Sequence, residues 1–228
     1  MKLATIAVAM QRSVVVALLL ACAGASAAPT NDSAMVPLPK PTTAGSVSLE
    51  QVLASRRSIR EFAKAPLSPA EVGQLLWATQ GVTDTVRGLR VAPSAGALYP
   101  LELYVAKEDG LFRYVPQRHA MIRVQSGDSR PAIAAAAHGQ GVVREAPVLI
   151  VITAMVDRTK AKYGSRAERY VTLEAGHAAQ GLLLEATALK LGATVVGAFN
   201  DNALRAVVAA GKDELPLYVV AIGRPRGS

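Results

Sequence analysis

Residues 147–153 read PVLIVIT, a run of β-branched residues and leucine that is apolar on both faces of any strand it forms. Residues 215–222, LPLYVVAI, have the same character. A strand apolar on both faces belongs inside a sheet covered on both sides. Outward from these two, residues 101–106 and 194–199 are strand-like, and Asp109-Gly110 turns the first of them into LFRYV, a hairpin signal. Helices occupy the intervals. Ser48 opens a short one bearing Leu49, Val52 and Leu53. Ser68-Pro69-Ala70-Glu71 is a capping box with proline at the first helical position. Val72, Leu75, Leu76 and Thr79 then recur at helical spacing, and Gly81 is a stop. The alanine-rich stretch 129–137 is expected to be helical, residues 170–191 to form a long helix stopped by Gly192, and Asp201 to cap a helix ending at Gly211. The fold class is therefore α+β, a sheet with helices on both sides.

Composition permits one folded domain. The chain has 228 residues, 51% hydrophobic and 18% charged, which is too apolar for a disordered tail. The formal charge is +8, from 25 Lys+Arg against 17 Asp+Glu. The basic residues are dispersed, aromatics make up only 4%, and no nucleic-acid recognition module is visible. Cys22 is the single cysteine, which excludes an intrachain disulfide and any CxxC motif.

The N-terminus reads as a targeting segment. Residues 14–23, VVVALLLACA, follow Lys2 and Arg12 and precede Ala25-Ser26-Ala27, the pattern of a secretory signal cleaved after Ala27. Met10 begins a more compact signal of the same kind. The sequence Leu19-Leu20-Ala21-Cys22 also resembles a lipobox, which would anchor the protein through a lipidated Cys22. Residues 1–27 are thus expected to be a signal peptide, 28–45 (with four prolines) a flexible linker, and 46–228 the domain. Loss of Lys2 and Arg12 leaves 23 basic against 17 acidic residues, a charge of +6. Export places the protein in the periplasm, without a membrane span after cleavage.

Several chemistries are missing. His119, His138 and His177 are scattered and show no metal-ligand spacing, so no metal is expected. Gly139-x-Gly141 runs on to Arg144, which breaks a dinucleotide fingerprint, and Ser94 lacks the Gly-x-Ser-x-Gly elbow of serine hydrolases.

Other residues offer a site. In Arg56-Arg57-Ser58-Ile59-Arg60, an extended chain would put Arg56, Ser58 and Arg60 on one face, where two guanidiniums and a hydroxyl suit a phosphate. The plainer reading is a solvated basic helix end offset by Glu61. The small-residue loop Ala92-Pro93-Ser94-Ala95-Gly96-Ala97 lets backbone N–H groups approach a flat ligand, as does Val196-Gly197-Ala198-Phe199 at a strand end. Gly223-Arg224-Pro225 closes the last strand with an arginine.

RRSIR, APSAGALYPLELYV, EAGHAAQGLLLEA, VVGAFND and ELPLYVVAIGRP, in this order, resemble the nitroreductase superfamily. The closest resemblance is to its SagB/ThcOx-type thiazoline/oxazoline dehydrogenase branch, and it spans residues 46–226. The resemblance implies a central mixed β-sheet flanked by helices and FMN bound without a covalent link at a homodimer interface. It implies that Arg56, Ser58 and Arg60, with Arg57 beside them, hold the phosphate and ribityl chain, that Arg224 is a C-terminal phosphate ligand, and that Pro93, Ser94 and Ala95 lie against the isoalloxazine. Gly197 and Ala198 would aim N–H groups at N5 and O4, where reduction builds charge. Lys162-Tyr163 matches a Lys-Tyr pair that azoline dehydrogenases use in proton removal; the plainer reading is an exposed charged loop. Two positions depart from the pattern: Ala97 stands where typical nitroreductases carry a flavin-binding Asn, and Gly181 where the dehydrogenase branch often has Asn. The small-residue face around Ala175, Ala178, Ala179 and 182–184 is expected at the dimer interface.

The implied function is an FMN-dependent oxidoreductase that passes hydride from a small organic donor to flavin N5 and on to an acceptor. The alternative is an exported, non-enzymatic binder of flavin or another small ligand. Turnover with donor and acceptor separates them.

Overall fold

The computed structural model describes residues 35–227. The expected signal peptide, Lys2, Arg12 and Cys22 lie outside them. In chain order the elements are β1 (Met35–Pro37), α1 (Leu49–Ser55), α2 (Pro69–Gln80), β2 (Val82–Asp84), β3 (Leu89–Arg90), β4 (Leu101–Lys107), β5 (Gly110–Val115) and β6 (Ala120–Ser126). There follow α3 (Arg130–Ala136), α4 (Gly141–Glu145), β7 (Val148–Met155), α5 (Val156–Tyr163), α6 (Ala167–Ala188), β8 (Gly192–Val196), α7 (Asp201–Val207) and β9 (Glu214–Gly223).

The two strands that are apolar on both faces lie side by side in the main sheet, whose order is β1-β6-β5-β4-β7-β9-β8. Every neighbouring pair of named strands is antiparallel, and the mixed character comes from one parallel bridge, Ser58 with Ala193. Alternation sorts the side chains into two cores. Leu103, Val105, Ile150, Ile152, Val220 and Ile222 pack with Val72, Leu75 and Leu76 of α2 and Val171, Ala178 and Leu182 of α6. Leu149, Val151, Val219 and Ala221 face the other way, onto Ile133 of α3, Val143 of α4 and Leu204 of α7.

Local chemistry sets the helix ends. Ser48 and Ser68 form capping boxes with Gln51 and Glu71, and Pro69 starts α2 where its missing N–H costs nothing. On the α2–α6 contact, a Cβ on Gly181 would stand 2.6 Å from the Ala78 carbonyl oxygen, so only glycine allows this approach. An asparagine there, common in the resembled branch, would force the helices apart.

Three element boundaries differ from expectation. The long helix stops at Ala188, with Lys190 in the left-handed region, and Gly192 starts β8. Gly192 is glycine because a Cβ would meet the Ile59 Cβ at 2.7 Å. Asn200, not Asp201, caps α7 through a 2.9 Å bond from the Ala203 N–H, and α7 ends at Val207 rather than near Gly211. The third is the stretch read as a linker, 28–45, which joins the sheet at Met35: β1 pairs with β6, Leu38 is buried, and Thr42 bonds Gln74 of α2. Its prolines hid a strand, because an edge strand tolerates proline on its unpaired side.

The expectation for α6 also needs correction. Ala175, Ala178, Ala179 and Leu182 are buried in the protomer's own core, not presented outward. Among the described residues no helix is long and apolar enough to cross a membrane, and no group of three His, Cys, Asp or Glu could hold a metal.

Candidate functional site

Strand polarity divides the candidate residues between two ends of the sheet. β8 begins where β9 ends, and this end carries the basic residues. Ser58 bridges Ala193 and the Ile59 N–H donates to the Ala193 carbonyl at 3.2 Å, so the chain is extended here. Ile59 turns inward while Ser58 and Arg60 stay exposed and Arg56 is half-buried. Ser58 and Arg60 thus flank the inward Ile59 on the exposed side of the segment. Arg57 behaves differently: its guanidinium donates to the Ala54 and Arg56 carbonyls, closing the end of α1. Arg224 leaves β9 at the same end and pairs with Glu71 at 2.9 Å. Burial would raise the Glu71 carboxyl, but the Ser68 N–H and hydroxyl and the Arg224 guanidinium together hold it below its usual range.

At the other end β4 and β9 begin and β7 and β8 finish. Gly197 and Ala198 follow β8 there and are exposed. Their N–H groups donate no hydrogen bond within the described residues, and a Cβ on Gly197 would touch nothing closer than 4.0 Å. The loop 93–97 precedes β4, three strands from β8, or roughly 14 Å at the usual strand spacing. Gly96 is left-handed (φ 64°) and brings the loop against α5, which follows β7. A Cβ on Gly96 would stand 2.9 Å from Tyr163 Oη and 3.1 Å from Lys162 Nζ. The structure thus brings the Lys-Tyr pair onto the small-residue loop. It holds the basic segment and Arg224 apart from both, at the opposite end of the ten-residue β9, roughly 30 Å along the strand.

Behind the loop lies a polar network that sequence reasoning missed. Ser94 Oγ donates to Glu174 Oε2 at 2.6 Å and accepts from the Tyr99 N–H at 2.9 Å. The hydroxyl is thus turned inward. Glu174 is 3% exposed, and burial pushes its carboxyl up to about 7 against the opposing pull of Ser94, Arg90 and Gln80. Its Oε1 and the Gln80 Nε2 are buried without a hydrogen-bond partner. Gln80 Oε1 accepts from Arg90, whose guanidinium lies 4.6 Å over the Tyr99 ring. A signal for Glu174 was present in the sequence. It occupies the buried stripe Val171, Ala175, Ala178, Leu182 of α6, where a carboxylate is costly and therefore informative.

Comparisons with known proteins bear on the family and the fold. The profile of the nitroreductase family matches residues 53–224. A curated protein of Methanocaldococcus jannaschii, named as a nitroreductase, is 42% identical over 184 residues, 78% of this chain and 91% of its own. A solved structure from Ralstonia eutropha JMP134, also named as a nitroreductase, has a TM-score of 0.78 at 31% identity and covers 87% of this chain and 92% of that one. Another, from Desulfovibrio desulfuricans in complex with FMN, has a TM-score of 0.59 at 25% identity and covers 79% and 87%.

Proposed function

The chain belongs to the nitroreductase family, a family of oxidoreductases, and on that premise we propose that it is an exported, FMN-dependent homodimer that oxidises a small organic donor. The observation that carries this reading is the pairing of two features at opposite ends of β8. Unpaired, exposed N–H groups of Gly197 and Ala198 stand at one end, and exposed Ser58 and Arg60 with half-buried Arg56 at the other. That spacing and chemistry fit a flat, electron-accepting ring joined by a chain to a phosphate.

FMN, when bound, supplies a hydride acceptor. The protein's own groups do the rest. The guanidiniums of Arg56 and Arg60 hold the phosphate as charge-assisted donors, with Arg224 as the C-terminal phosphate ligand and Arg57 beside them. The N–H groups of Gly197 and Ala198 stabilise charge that builds on the ring, and Pro93, Ser94 and Ala95 offer backbone to its face. Because the loop begins three strands from β8, a loop supplied by a second copy of the chain is the simpler way to complete one site. Exposed Leu49 and Leu53 on α1 and Leu173 on α6 replace the buried alanines as candidate interface residues. Lys162 and Tyr163 remove the proton that must leave with the hydride. An exported enzyme has no supply of reduced nicotinamide, so a donor oxidised in place suits the SagB/ThcOx-type dehydrogenase better than nitro reduction. Dioxygen or a quinone serves as acceptor.

The test begins with an absorption spectrum of the purified protein. A yellow protein with one FMN per subunit is expected, and Arg56→Ala should weaken FMN binding by a few kcal/mol. A colourless protein that also gives no heat on titration with saturating FMN would overturn the reading. Light scattering checks the dimer, and the intact mass of the exported form checks cleavage after Ala27 against a lipidated Cys22.

A further inference from the structure

A cavity of about 340 Å³ opens beside the loop that precedes β4, on the side of the sheet away from the basic segment. It lies at the lower end of the size range of small-molecule sites. Three guanidiniums line it, those of Arg90, Arg113 and Arg158, and one carboxylate, Glu102. Three positive charges against one negative leave a net +2 in a concave pocket. Glu102 is already shared: Arg158 Nη2 reaches it at 2.6 Å and Arg113 Nη1 at 3.4 Å. Arg90 is left without a carboxylate partner. Its guanidinium donates one bond, to the neutral Gln80 amide, and its face rests on Tyr99. Burial disfavours its charged form, while the nearby Glu102 and Glu174 carboxylates favour it. The rest of the wall is mixed, with the amides of Gln80 and Gln117 beside apolar Leu103, Val115 and Ile122.

We propose that this cavity binds the carboxylate of a small organic acid, clamped by Arg90, Arg113 and Arg158, with the acid's apolar body against Leu103, Val115 and Ile122. The planar forks of arginine match a carboxylate. An inorganic phosphate has the charge but no apolar part to set against Val115 and Ile122. The position is informative as well. Arg158 lies one helical turn before Lys162 on α5 and donates to the Tyr99 carbonyl at 3.3 Å. The cavity and the Lys-Tyr pair thus share α5, the cavity through Arg158 and the pair four residues further along. The acid is then the donor substrate, an assignment that rests on the oxidoreductase function proposed for the chain.

Calorimetric titration of the purified full protein at low ionic strength tests the site, with benzoate, neutral benzamide and inorganic phosphate as probes. Benzoate should bind, with benzamide and phosphate at least tenfold weaker. Arg90→Gln and Arg113→Gln should each weaken benzoate at least tenfold with an unchanged flavin spectrum and circular dichroism. If Arg90→Gln does not fold, the half-exposed Arg113 decides the matter alone. Silence with benzoate at millimolar concentration, equal binding of benzamide or phosphate, or wild-type affinity in the folded variants would overturn the site. The two proposals fail separately. Benzoate binding by a protein that takes up no FMN removes the donor assignment and keeps the acid site. A flavoprotein indifferent to benzoate does the reverse.

Discussion

Ser94 Oγ donates a 2.6 Å hydrogen bond to Glu174 Oε2, across 80 residues of chain. A buried carboxyl on α6 therefore holds the loop that precedes β4, and its protonation state reaches the loop through one hydroxyl. The same hydroxyl accepts from the Tyr99 N–H, where the backbone is left-handed at φ 48°. The loop's shape thus depends on a group whose charge changes near neutrality.

The pH dependence of stability follows. Burial pushes the Glu174 carboxyl from 4.5 up to about 7, so the folded state prefers the protonated form. The native chain then binds more protons than the unfolded one between these values. Stability is full below 4.5 and falls as pH rises through about 7, by about 3 kcal/mol at most. Glu174→Gln should flatten that fall in urea unfolding measured from pH 5 to 8. His119 acts oppositely, since burial lowers its pKa and folded stability is lost as pH drops, but it is common to both proteins and cancels in the comparison. Parallel curves for wild type and variant would refute the buried-carboxyl account.

Gly96→Ala should destabilise the protein by about 1 kcal/mol or more, because φ is 64° and alanine is strained there. The added methyl also meets Tyr163 Oη at 2.9 Å. In a Tyr163→Phe background the cost should shrink, giving a non-zero coupling energy in a double-mutant cycle. Equal costs in both backgrounds would mean the loop and α5 are not in contact.

Two glycines of α6 should respond with opposite signs. Gly181→Ala places a methyl 2.6 Å from the Ala78 carbonyl oxygen, a backbone atom that cannot swing away, and should cost about 1–3 kcal/mol. At Gly176 a Cβ would meet nothing within 4 Å, so Gly176→Ala should stabilise by about 0.5–1 kcal/mol through helix propensity. Thermal unfolding of the two variants reads both signs at once.

Lys162→Ala and Tyr163→Phe should leave the flavin spectrum unchanged and slow bleaching by a donor about 100-fold, the range typical of general-base loss. Anaerobic stopped flow measures it. Wild-type rates in both variants would leave the pair as packing against Gly96.

The sheet and its two cores were legible because PVLIVIT and LPLYVVAI are apolar on both strand faces, which few structures other than a doubly covered strand can satisfy. Capping boxes at Ser48 and Ser68 were legible for the same kind of reason: local chemistry decides them. Elements decided by distant partners were not. Met35–Pro37 becomes a strand only because β6 offers an edge, and α6 ends at Ala188 because Gly192 is drawn into the sheet. That Ser58 and Arg60 share an exposed side was readable, but Arg57's turn onto α1 depends on where that helix stops. The Arg90, Arg113 and Arg158 cluster was invisible, since strands and a helix far apart in the chain assemble it.

The pairing of β1 with β6 bears on how the protein can be shortened. A chain begun at Ser46, the start suggested by composition, would lack β1 and add Ala120–Ile122 to the stretch of β6 with no strand beside it, next to Val124, already 36% exposed. Such a bare edge recruits other strands. A truncation of this kind therefore invites self-association that mimics an oligomer, and a boundary ahead of Met35 keeps the edge closed.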